Sequence, residues 1–300
     1  MRIFLTGATG YVGSAVLDAL VRAGHEVTAL VRSGAKASWV AKRGGHAVVG
    51  DLATPSSYLD GAQGHQAYVH TALDAAPRTA DTDRLAIETL VGCATSGRSG
   101  ADSKVFVYTS GVWVLGECKT PASEAEPIVR PAAAVAWRPS HEKRVLEAAT
   151  DRIATAVVRP GIVFGEKRGL VVPWFESAVK DGRAAFAGTG DQRWALVHRT
   201  DLAELYRLVL ERRARGIFHG VDGASPTVAE AAAAASRAAG KGGAVRAIPL
   251  EEARKAMGPM ADALAMDQVV VSARGAELGW APKHAPFLAD APNAFREWRA

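Results

Sequence analysis

The sequence predicts an α/β protein with a doubly wound parallel sheet in its N-terminal half and a smaller α+β domain in its C-terminal half. Two observations carry this prediction. Up to about residue 160, short apolar runs typical of strands buried on both faces alternate with amphipathic helical stretches. Beyond that residue the segments become shorter, and glycine, proline and tryptophan interrupt them.

The alternation can be followed element by element. The apolar runs predict strands at 2–5, 26–32, 46–49, 67–71, 104–109 and 153–159. Apolar residues at helical spacing predict helices at 12–22, 83–94, 140–149 and 229–239. When a helix follows each strand, neighbouring strands run parallel to each other. The helix is the crossover connection that brings the chain back to the end of the sheet at which the preceding strand began.

Composition and charge exclude several classes of protein. Of 300 residues, 48% are hydrophobic and 22% are charged, which is ordinary for a globular chain. No apolar run approaches the roughly 20 residues of a membrane helix, and no signal-peptide pattern is visible. The two cysteines, Cys93 and Cys118, have no metal-site or disulfide-framework spacing. We therefore expect a cytoplasmic protein without a metal. The net charge of +5 is mild, so we expect neither a nucleic-acid nor a membrane partner.

A glycine-rich loop joins the first predicted strand to the first predicted helix. Gly7 permits a tight turn, Gly10 lets a pyrophosphate approach the backbone, and Gly13 allows the helix to pack closely on the strand. The helix N-terminus favours phosphate through its free N–H groups and its dipole. The loop predicts a dinucleotide site formed by Thr6, Gly7, Thr9, Gly10, Tyr11, Val12 and Gly13.

The end of the second predicted strand favours NADP(H) over NAD(H). An NAD site usually has an acidic residue at this point, which binds the ribose hydroxyls. This chain has Arg32 instead, followed by Ser33 and, shortly after, Lys36. A guanidinium at that edge can pair with a 2′-phosphate, although an exposed arginine at a strand end is the simpler alternative.

Two further strand ends complete the predicted cofactor site. Asp51, followed by Leu52, ends the third strand, where its carboxylate can accept a hydrogen bond from an adenine amino group. His70, Thr71 and Ala72 end the fourth strand beneath the cofactor, and the small residues leave room for the nicotinamide ribose. We expect His70 itself to be structural.

Several motifs in a fixed order point to a family. They are the glycine loop, 50–52, 108–111, 159–165, 197–203 and 278–282. This set, which spans nearly the whole chain, resembles the extended or atypical branch of the short-chain dehydrogenase/reductase superfamily, whose members are epimerase- and dehydratase-like. The resemblance implies a Rossmann-like nucleotide-binding domain at 1–165 and a substrate-binding domain at 166–300, with 195–221 returning to the first domain. It also implies a nicotinamide cofactor contacted by Arg159, Pro160 and Gly161, a substrate pocket between the domains and a homodimer.

The family's usual proton donor is missing. Its members normally use a serine or threonine together with Tyr-x-x-x-Lys, a spacing that puts the phenol and the ammonium on one helical face. None of the five tyrosines is followed by lysine four residues later. The matching stretch, 137–147, has Lys143 at the lysine position and Pro139 at the tyrosine position. The resemblance therefore implies Ser110 and Lys143 as the catalytic residues, and it implies that Lys143 also binds the nicotinamide ribose of the cofactor.

The proton source stays open. Lys143 can lose a proton if burial lowers its pKa, and the substrate or water can also supply one. Ser140 shares a helical face with Lys143. His141 is roughly 200° from Lys143 around the helix, so we expect it to point elsewhere.

Aromatic and polar residues of the second half are candidates for substrate binding. Trp113 follows the predicted catalytic strand, and family resemblance places the segment before Val197 at the pocket wall. The predicted substrate-binding residues are Trp113, Trp174, Arg193, Trp194 and His198. Several aromatic walls favour an apolar or aromatic substrate, although the same side chains can fill a core.

These residues together predict an NADP-dependent oxidoreductase that transfers a hydride to or from a small organic substrate with a C=O, C=N or C=C bond. Two alternatives remain. One is an epimerase- or dehydratase-like enzyme with a tightly bound cofactor. The other is a regulator that binds NADP(H) without turnover, which the missing tyrosine also fits.

Overall fold

The computed structural model of the protein describes residues 1–74, 78–95 and 104–300. The chain forms two compact units. The first comprises Met1–Ser110, Trp137–Arg159 and Ala203–Phe218, and the second comprises Gly111–Ala136, Pro160–Leu202 and His219–Ala300. Within the described ranges, no helix is both long and apolar enough to cross a membrane.

The strands and helices alternate along the first half of the chain, as the apolar pattern predicts. In chain order the strands are β1 Arg2–Thr6, β2 Glu26–Val31, β3 His46–Val49, β4 Ala67–His70, β5 Lys104–Thr109, β6 Cys118–Ala122, β7 Ile153–Pro160, β8 Ile162–Phe164, β9 Ala184–Ala187, β10 Leu196–His198, β11 Gly216–Gly220, β12 Val245–Ile248 and β13 Gln268–Val270. The helices are α1 Tyr11–Arg22, α2 Gly34–Ala41, α3 Leu59–Ala62, α4 Thr79–Thr95, α5 Arg138–Glu147, α6 Val172–Asp181, α7 Arg199–Glu211, α8 Val228–Ala238, α9 Leu250–Met257, α10 Pro259–Leu264, α11 Ala273–Glu277 and α12 Phe287–Arg299.

A seven-stranded sheet organises the first unit. Its strand order is β11-β7-β5-β4-β1-β2-β3, and the pairings from β7 to β3 are all parallel. All six predicted strands lie in this sheet, so the predicted α/β class is confirmed. The order reverses between β1 and β4, and in open α/β sheets such a switch point is where ligands bind, at the carboxyl ends of the strands.

The face of the sheet next to α4 is packed mainly with aromatic side chains. Phe4, Tyr68, Phe106 and Tyr108 come from three neighbouring strands and are fully buried, together with Tyr58. Aromatic side chains bury large apolar areas, which holds α4 against the sheet. The strands that carry the candidate site are therefore rigidly supported from below.

The second unit has its own core. It contains three two-stranded parallel sheets, β8 with β10, β9 with β12 and β6 with β13. Trp174, Trp194 and Phe287 are among the largest side chains of its main apolar cluster, which also contains the alanines of α8. Thr227 and Glu230 cap α8 reciprocally, which fixes where this alanine-rich helix begins.

Candidate active site

The loop between β1 and α1 is shaped by close backbone contacts. Gly7 has φ +78°, and a Cβ there would lie 2.5 Å from the Ala72 nitrogen. A Cβ on Gly13 would lie 2.1 Å from the Gly7 carbonyl oxygen, and the Gly10 N–H donates to the same oxygen at 2.8 Å. The loop thus folds tightly, and only glycine fits at these two packed positions.

The outer side of this loop can accommodate a phosphate. Gly10 is the N-cap residue of α1, and the helix N-terminus has no side-chain cap hydrogen bond. A Cβ on Gly10 would meet only the Gly7 oxygen within 4 Å. The first N–H groups of a helix lack intrahelical partners and attract anions, so the backbone fits the pyrophosphate of a dinucleotide.

The ends of β1 and β4 are joined directly above the switch point. The hydroxyl of Thr71 donates to the Thr6 carbonyl oxygen at 2.8 Å, and the Thr71 N–H donates to the same oxygen at 3.2 Å. Thr6 and His70 are buried, whereas Thr71 and Ala72 are partly exposed. The predicted residues of β4 therefore adjoin the glycine loop.

The ends of β2 and β3 carry the predicted adenosine-side residues. The Arg32 side chain is 78% exposed, with its Nη1 3.8 Å from the carboxylate of Asp74. Ser33 caps α2 by accepting a hydrogen bond from the Lys36 N–H. Asp51 is exposed and accepts from the backbone of its own turn, and Leu52 is partly buried. Arg32 can therefore bind an anion without breaking a buried contact.

A buried carboxylate connects the strands to the two helices behind them. Asp83 of α4 accepts hydrogen bonds from His70 (3.2 Å), His141 (2.6 Å) and the Tyr108 hydroxyl (2.9 Å). The other ring nitrogen of His70 lies 2.6 Å from the Thr6 hydroxyl. We call these five residues the Asp83 cluster. Sequence reasoning missed it, apart from His70 and Thr6, because its members are far apart along the chain.

The cluster keeps Asp83 ionised. Burial alone would raise the pKa of this carboxyl, but the hydrogen bonds from His141 and His70, with the charge of Arg138, hold the pKa well below its usual range. Burial raises the pKa of the Tyr108 phenol far above its usual value. Tyr108 therefore stays protonated and can donate to Asp83 throughout the physiological range.

Arg138, the first residue of α5, reaches the carboxyl end of β5. Its Nη1 donates to the Thr109 carbonyl oxygen at 2.7 Å and to the Tyr108 hydroxyl at 3.2 Å. The guanidinium lies 4.5 Å from the centre of the Trp137 ring. The residue is 8% exposed, so a buried positive charge contacts Thr109, the residue that immediately precedes Ser110.

Glu142 and Arg159 form a second buried ion pair behind this position. The Arg159 Nη2 and Nε atoms donate to the Glu142 carboxylate at 2.6 and 3.0 Å, and both residues are 2% exposed. The predicted cofactor residue Arg159 thus directs most of its guanidinium to Glu142. The neighbouring Gly161 hydrogen-bonds Gly220, and a Cβ there would lie 2.4 Å from the Ala195 oxygen. Pro160 is the last residue of β7.

The three tryptophans predicted to bind substrate belong to the second unit. Trp174 and Trp194 are 2% and 5% exposed and stack with centroids 5.0 Å apart. Trp113 is partly buried and packs against the same cluster. In these positions all three contribute to the apolar core, and their contact with a substrate stays a prediction.

The two polar residues predicted to bind substrate also have internal partners. The Arg193 guanidinium pairs with the Asp267 carboxylate at 2.8 Å. His198 is buried and stacks on His284 with ring centroids 3.6 Å apart. Burial and the nearby His284 lower the pKa of His198. Their contact with a substrate likewise stays a prediction.

Comparison with known proteins gives the family. Residues 3–219 match the NAD-dependent epimerase/dehydratase family. The chain belongs to this family. It is 30% identical to an uncharacterized protein of Schizosaccharomyces pombe, over 97% of this chain and 98% of that protein. It is also 30% identical to a 4-hydroxy-2-methyl-3-oxo-4-farnesyl-3,4-dihydroquinoline-1-oxide ketoreductase of Stigmatella aurantiaca, over 75% and 69% of the two chains.

The fold of the epimerase/dehydratase family is also evident from solved structures. The human epimerase family protein SDR39U1, crystallised with NADPH, superposes with a TM-score of 0.80 at 20% identity and covers 99% of both chains. The resemblance to extended short-chain dehydrogenases/reductases is confirmed. Members of this family are NAD(P)-dependent oxidoreductases, epimerases and dehydratases, and the chain is an enzyme-like protein of this type.

The family motif assigns the active-site cation to Lys143, and this role stays a prediction. Its side chain is 74% exposed and lies 3.7 Å from the Glu147 carboxylate. Arg138, His141 and Glu142 occupy the inward face of α5, at the spacing i, i+3, i+4. His141 points away from Lys143, as expected, but it is His141 that faces the protein interior. This polar triplet was the signal in the sequence that could have identified the face.

Ser110 lies where the family's serine is expected, immediately after β5. It is 7% exposed, and its hydroxyl has no hydrogen-bond partner among the described residues. Its N–H donates to the Val158 oxygen of the neighbouring strand, which fixes the backbone. An unpaired, buried hydroxyl at this edge is well suited to bind an oxygen of a ligand.

The loop contacts predict opposite effects on stability for alanine substitutions at two helical glycines, Gly13 and Gly92. We expect Gly13→Ala to reduce the free energy of unfolding by about 1–3 kcal/mol, because its Cβ would overlap the Gly7 carbonyl. Gly92→Ala, in α4, meets no atom within 4 Å and should stabilise by about 0.5–1 kcal/mol. Urea unfolding of both variants tests this, and equal effects would contradict the loop geometry.

The Asp83 cluster leads to a prediction about pH. Because the folded-state pKa of Asp83 is depressed, its stabilisation is fully present above the unfolded value of about 4 and is lost as pH falls below it. We expect Asp83→Asn to cost about 2 kcal/mol at pH 7 and progressively less below pH 4. Asp81→Asn, exposed on the same helix, is the control and should change stability little at either pH. A cost that stays constant down to pH 3 would refute the assignment.

Proposed function

We propose that the protein is an NADP(H)-dependent oxidoreductase acting on a small apolar or aromatic substrate. The observation that carries this proposal is the glycine loop at the switch point of the sheet, where Gly7 and Gly13 leave no room for a Cβ and Gly10 leaves the helix N-terminus uncovered. When bound there, a nicotinamide cofactor supplies or accepts a hydride.

Residues at three strand ends would each bind a different part of the cofactor. The backbone from Gly7 to Gly13 binds the pyrophosphate. Asp51 and Leu52 flank the adenine, and Thr71 and Ala72 line the path of the nicotinamide ribose. His70 supports this edge from beneath through its bonds to Thr6 and Asp83.

Arg32 supports NADP(H) rather than NAD(H). Its guanidinium is exposed, and the residue lies beside the N-terminus of α2, which is capped by Ser33. A 2′-phosphate at this point would be bound by a cation and by the positive end of a helix dipole. The human relative crystallised with NADPH agrees with this preference.

A carbonyl compound is the substrate class that the proposal favours. The unpaired hydroxyl of Ser110 can donate to a carbonyl oxygen at the end of β5. The ketoreductase relative from Stigmatella aurantiaca acts, by its name, on a large bicyclic ketone. C=N and C=C substrates remain within the same proposal, because they place less charge on an oxygen that needs a proton.

A second candidate function is nucleotide sensing without turnover. Tyr108 donates to Asp83, and Tyr206 is bonded to the Thr109 hydroxyl. Burial raises the pKa of both phenols above their usual range, so neither replaces the missing tyrosine as an acid. A protein with this site can bind NADP(H) and yet transfer no hydride. An epimerase- or dehydratase-like reaction, with the cofactor retained, is the third.

Titration with the two cofactors tests the binding proposal. We expect NADPH to bind more tightly than NADH, and Arg32→Asp to weaken NADPH by about 10–100-fold, the value of a charge-assisted hydrogen bond, with NADH changed little. Lys180→Asp, an exposed charge reversal at the end of α6, is the matched control. An equal loss for both cofactors in Arg32→Asp would refute the 2′-phosphate contact.

Turnover separates the enzyme from the sensor. Consumption of NADPH is followed with panels of aromatic aldehydes, ketones, imines and enones, for the wild type and Ser110→Ala. We expect at least one class to be reduced and Ser110→Ala to lower kcat by about 10–100-fold. Tight binding of NADPH with no consumption across the panels would support the sensor instead.

A further inference from the structure

Arg138 is a buried cation that the family motif does not predict. We infer that Arg138 is the active-site cation, donating to oxygen atoms of the bound cofactor and substrate, and that Tyr108 and Asp83 position it. This inference deepens the proposed function and rests on it. It assigns to Arg138 the place that the Tyr-x-x-x-Lys motif gives to Lys143.

Location is the first argument. The Arg138 Nη1 atom lies 2.7 Å from the carbonyl oxygen of Thr109, the last residue of β5, and the next residue is Ser110 with its unpaired hydroxyl. Ligands of open α/β sheets bind outside the carboxyl ends of the strands. Lys143, by contrast, points into solvent on another face of the same helix.

Unused donors are the second argument. A guanidinium has five N–H groups, and the hydrogen bonds of Arg138 to Tyr108 and Thr109 both come from Nη1. Its Nε and Nη2 atoms make no hydrogen bond to any residue in the described ranges. A ligand that offers oxygen atoms here would bind to these remaining donors.

The distribution of negative charge is the third argument. Two carboxylates lie near Arg138, but the Glu142 carboxylate is fully engaged by Arg159. Asp83 and Arg138 attract each other through space, but the hydrogen-bonded link between them is the Tyr108 hydroxyl, which accepts from Arg138 at 3.2 Å and donates to Asp83 at 2.9 Å. The guanidinium is therefore held in place without being neutralised by direct contact, and it can still attract a ligand's negative charge.

Several elements fix this geometry. The titratable groups around the cation are Tyr108 from β5, Asp83 from α4, His70 from β4, His141 and Glu142 from α5, and Tyr206 from α7. Asp83 accepts from both histidines, so it cannot turn away from Tyr108 without breaking two bonds. Trp137 packs beneath the guanidinium plane. Asp83 and Tyr108 are positioning residues, since they act on the ligand only through Arg138.

The identity of this cation has a chemical consequence. An arginine stays protonated at every pH at which the protein is folded, whereas a lysine can lose its proton when buried. Arg138 can stabilise developing negative charge on a substrate oxygen, but it cannot supply the proton. The proton must come from water or from the substrate.

The decisive experiment compares three variants of α5 in the full-length protein. We expect Arg138→Met to lower kcat/KM for the best carbonyl probe by about 100–1000-fold, as when a charge-stabilising donor is removed, and to raise the Kd of NADPH about three- to tenfold. Arg144→Met, a half-exposed arginine paired with Glu88, is the matched control. Lys143→Met represents the competing assignment. A large loss in Lys143→Met with none in Arg138→Met would overturn the inference.

Charge rescue separates a direct role from a structural one. Millimolar methylguanidine should restore part of the activity of Arg138→Met, about tenfold or more, and should leave Arg144→Met unchanged. Absence of rescue, together with a thermal midpoint well below that of the wild type, would assign Arg138 to folding alone and overturn the inference.

Conservative variants keep the test sharp if Arg138→Met does not fold. Arg138→Lys retains the charge but loses the two-acceptor geometry, and Tyr108→Phe removes only the bridging hydroxyl. We expect both to lower kcat about tenfold with KM nearly unchanged. Wild-type kcat in both would overturn the inference.

Failure of the proposed function gives a different result. If the wild type binds neither NADPH nor NADH at millimolar concentration, the cofactor proposal itself fails. If the wild type binds NADPH without turnover, an unchanged NADPH Kd in Arg138→Met overturns the inference alone.

Discussion

The carboxylate of Asp83 is the group on which the candidate site depends. It is almost completely buried, and it is bonded to side chains from β4, β5 and α5. An isolated buried carboxylate would be strongly unfavourable, so the charge persists only while all three donors are in place. The same three bonds hold two neighbouring strands and two helices in one arrangement. The precise position of Tyr108, and through it of Arg138, follows from satisfying this one charge.

Much of the first unit could be predicted from local sequence. A strand buried on both faces must be apolar along its length, so the six runs from 2–5 to 153–159 were visible without any tertiary information. The glycine loop was also predictable. Gly7 has a positive φ angle and Gly13 lies against the Gly7 carbonyl oxygen, and only glycine is compatible with both conditions. Strand β11 was missed as a strand because it begins and ends in glycine, which is rare inside strands.

The inward face of α5 could not be predicted from the motif alone. Without the tyrosine, the Tyr-x-x-x-Lys spacing cannot show which face of the helix points inward. Residues 137–147 are also polar on more than one face, so hydrophobicity does not decide it either. The structure resolves the choice through contacts that span the chain: Glu142 pairs with Arg159, 17 residues away, and His141 with Asp83, 58 residues away. Trp174 and Trp194 illustrate the same limit, because an aromatic residue predicts burial without telling whether a ligand or another side chain covers it.

The Glu142–Arg159 pair also has a use in comparing relatives. Because each partner would leave an uncompensated buried charge if the other were lost, single changes at either position are strongly disfavoured and paired changes are tolerated. In this chain the pair also marks the orientation of α5. The residue four positions before the glutamate, about one helical turn back, is Arg138, which contacts the last residue of β5.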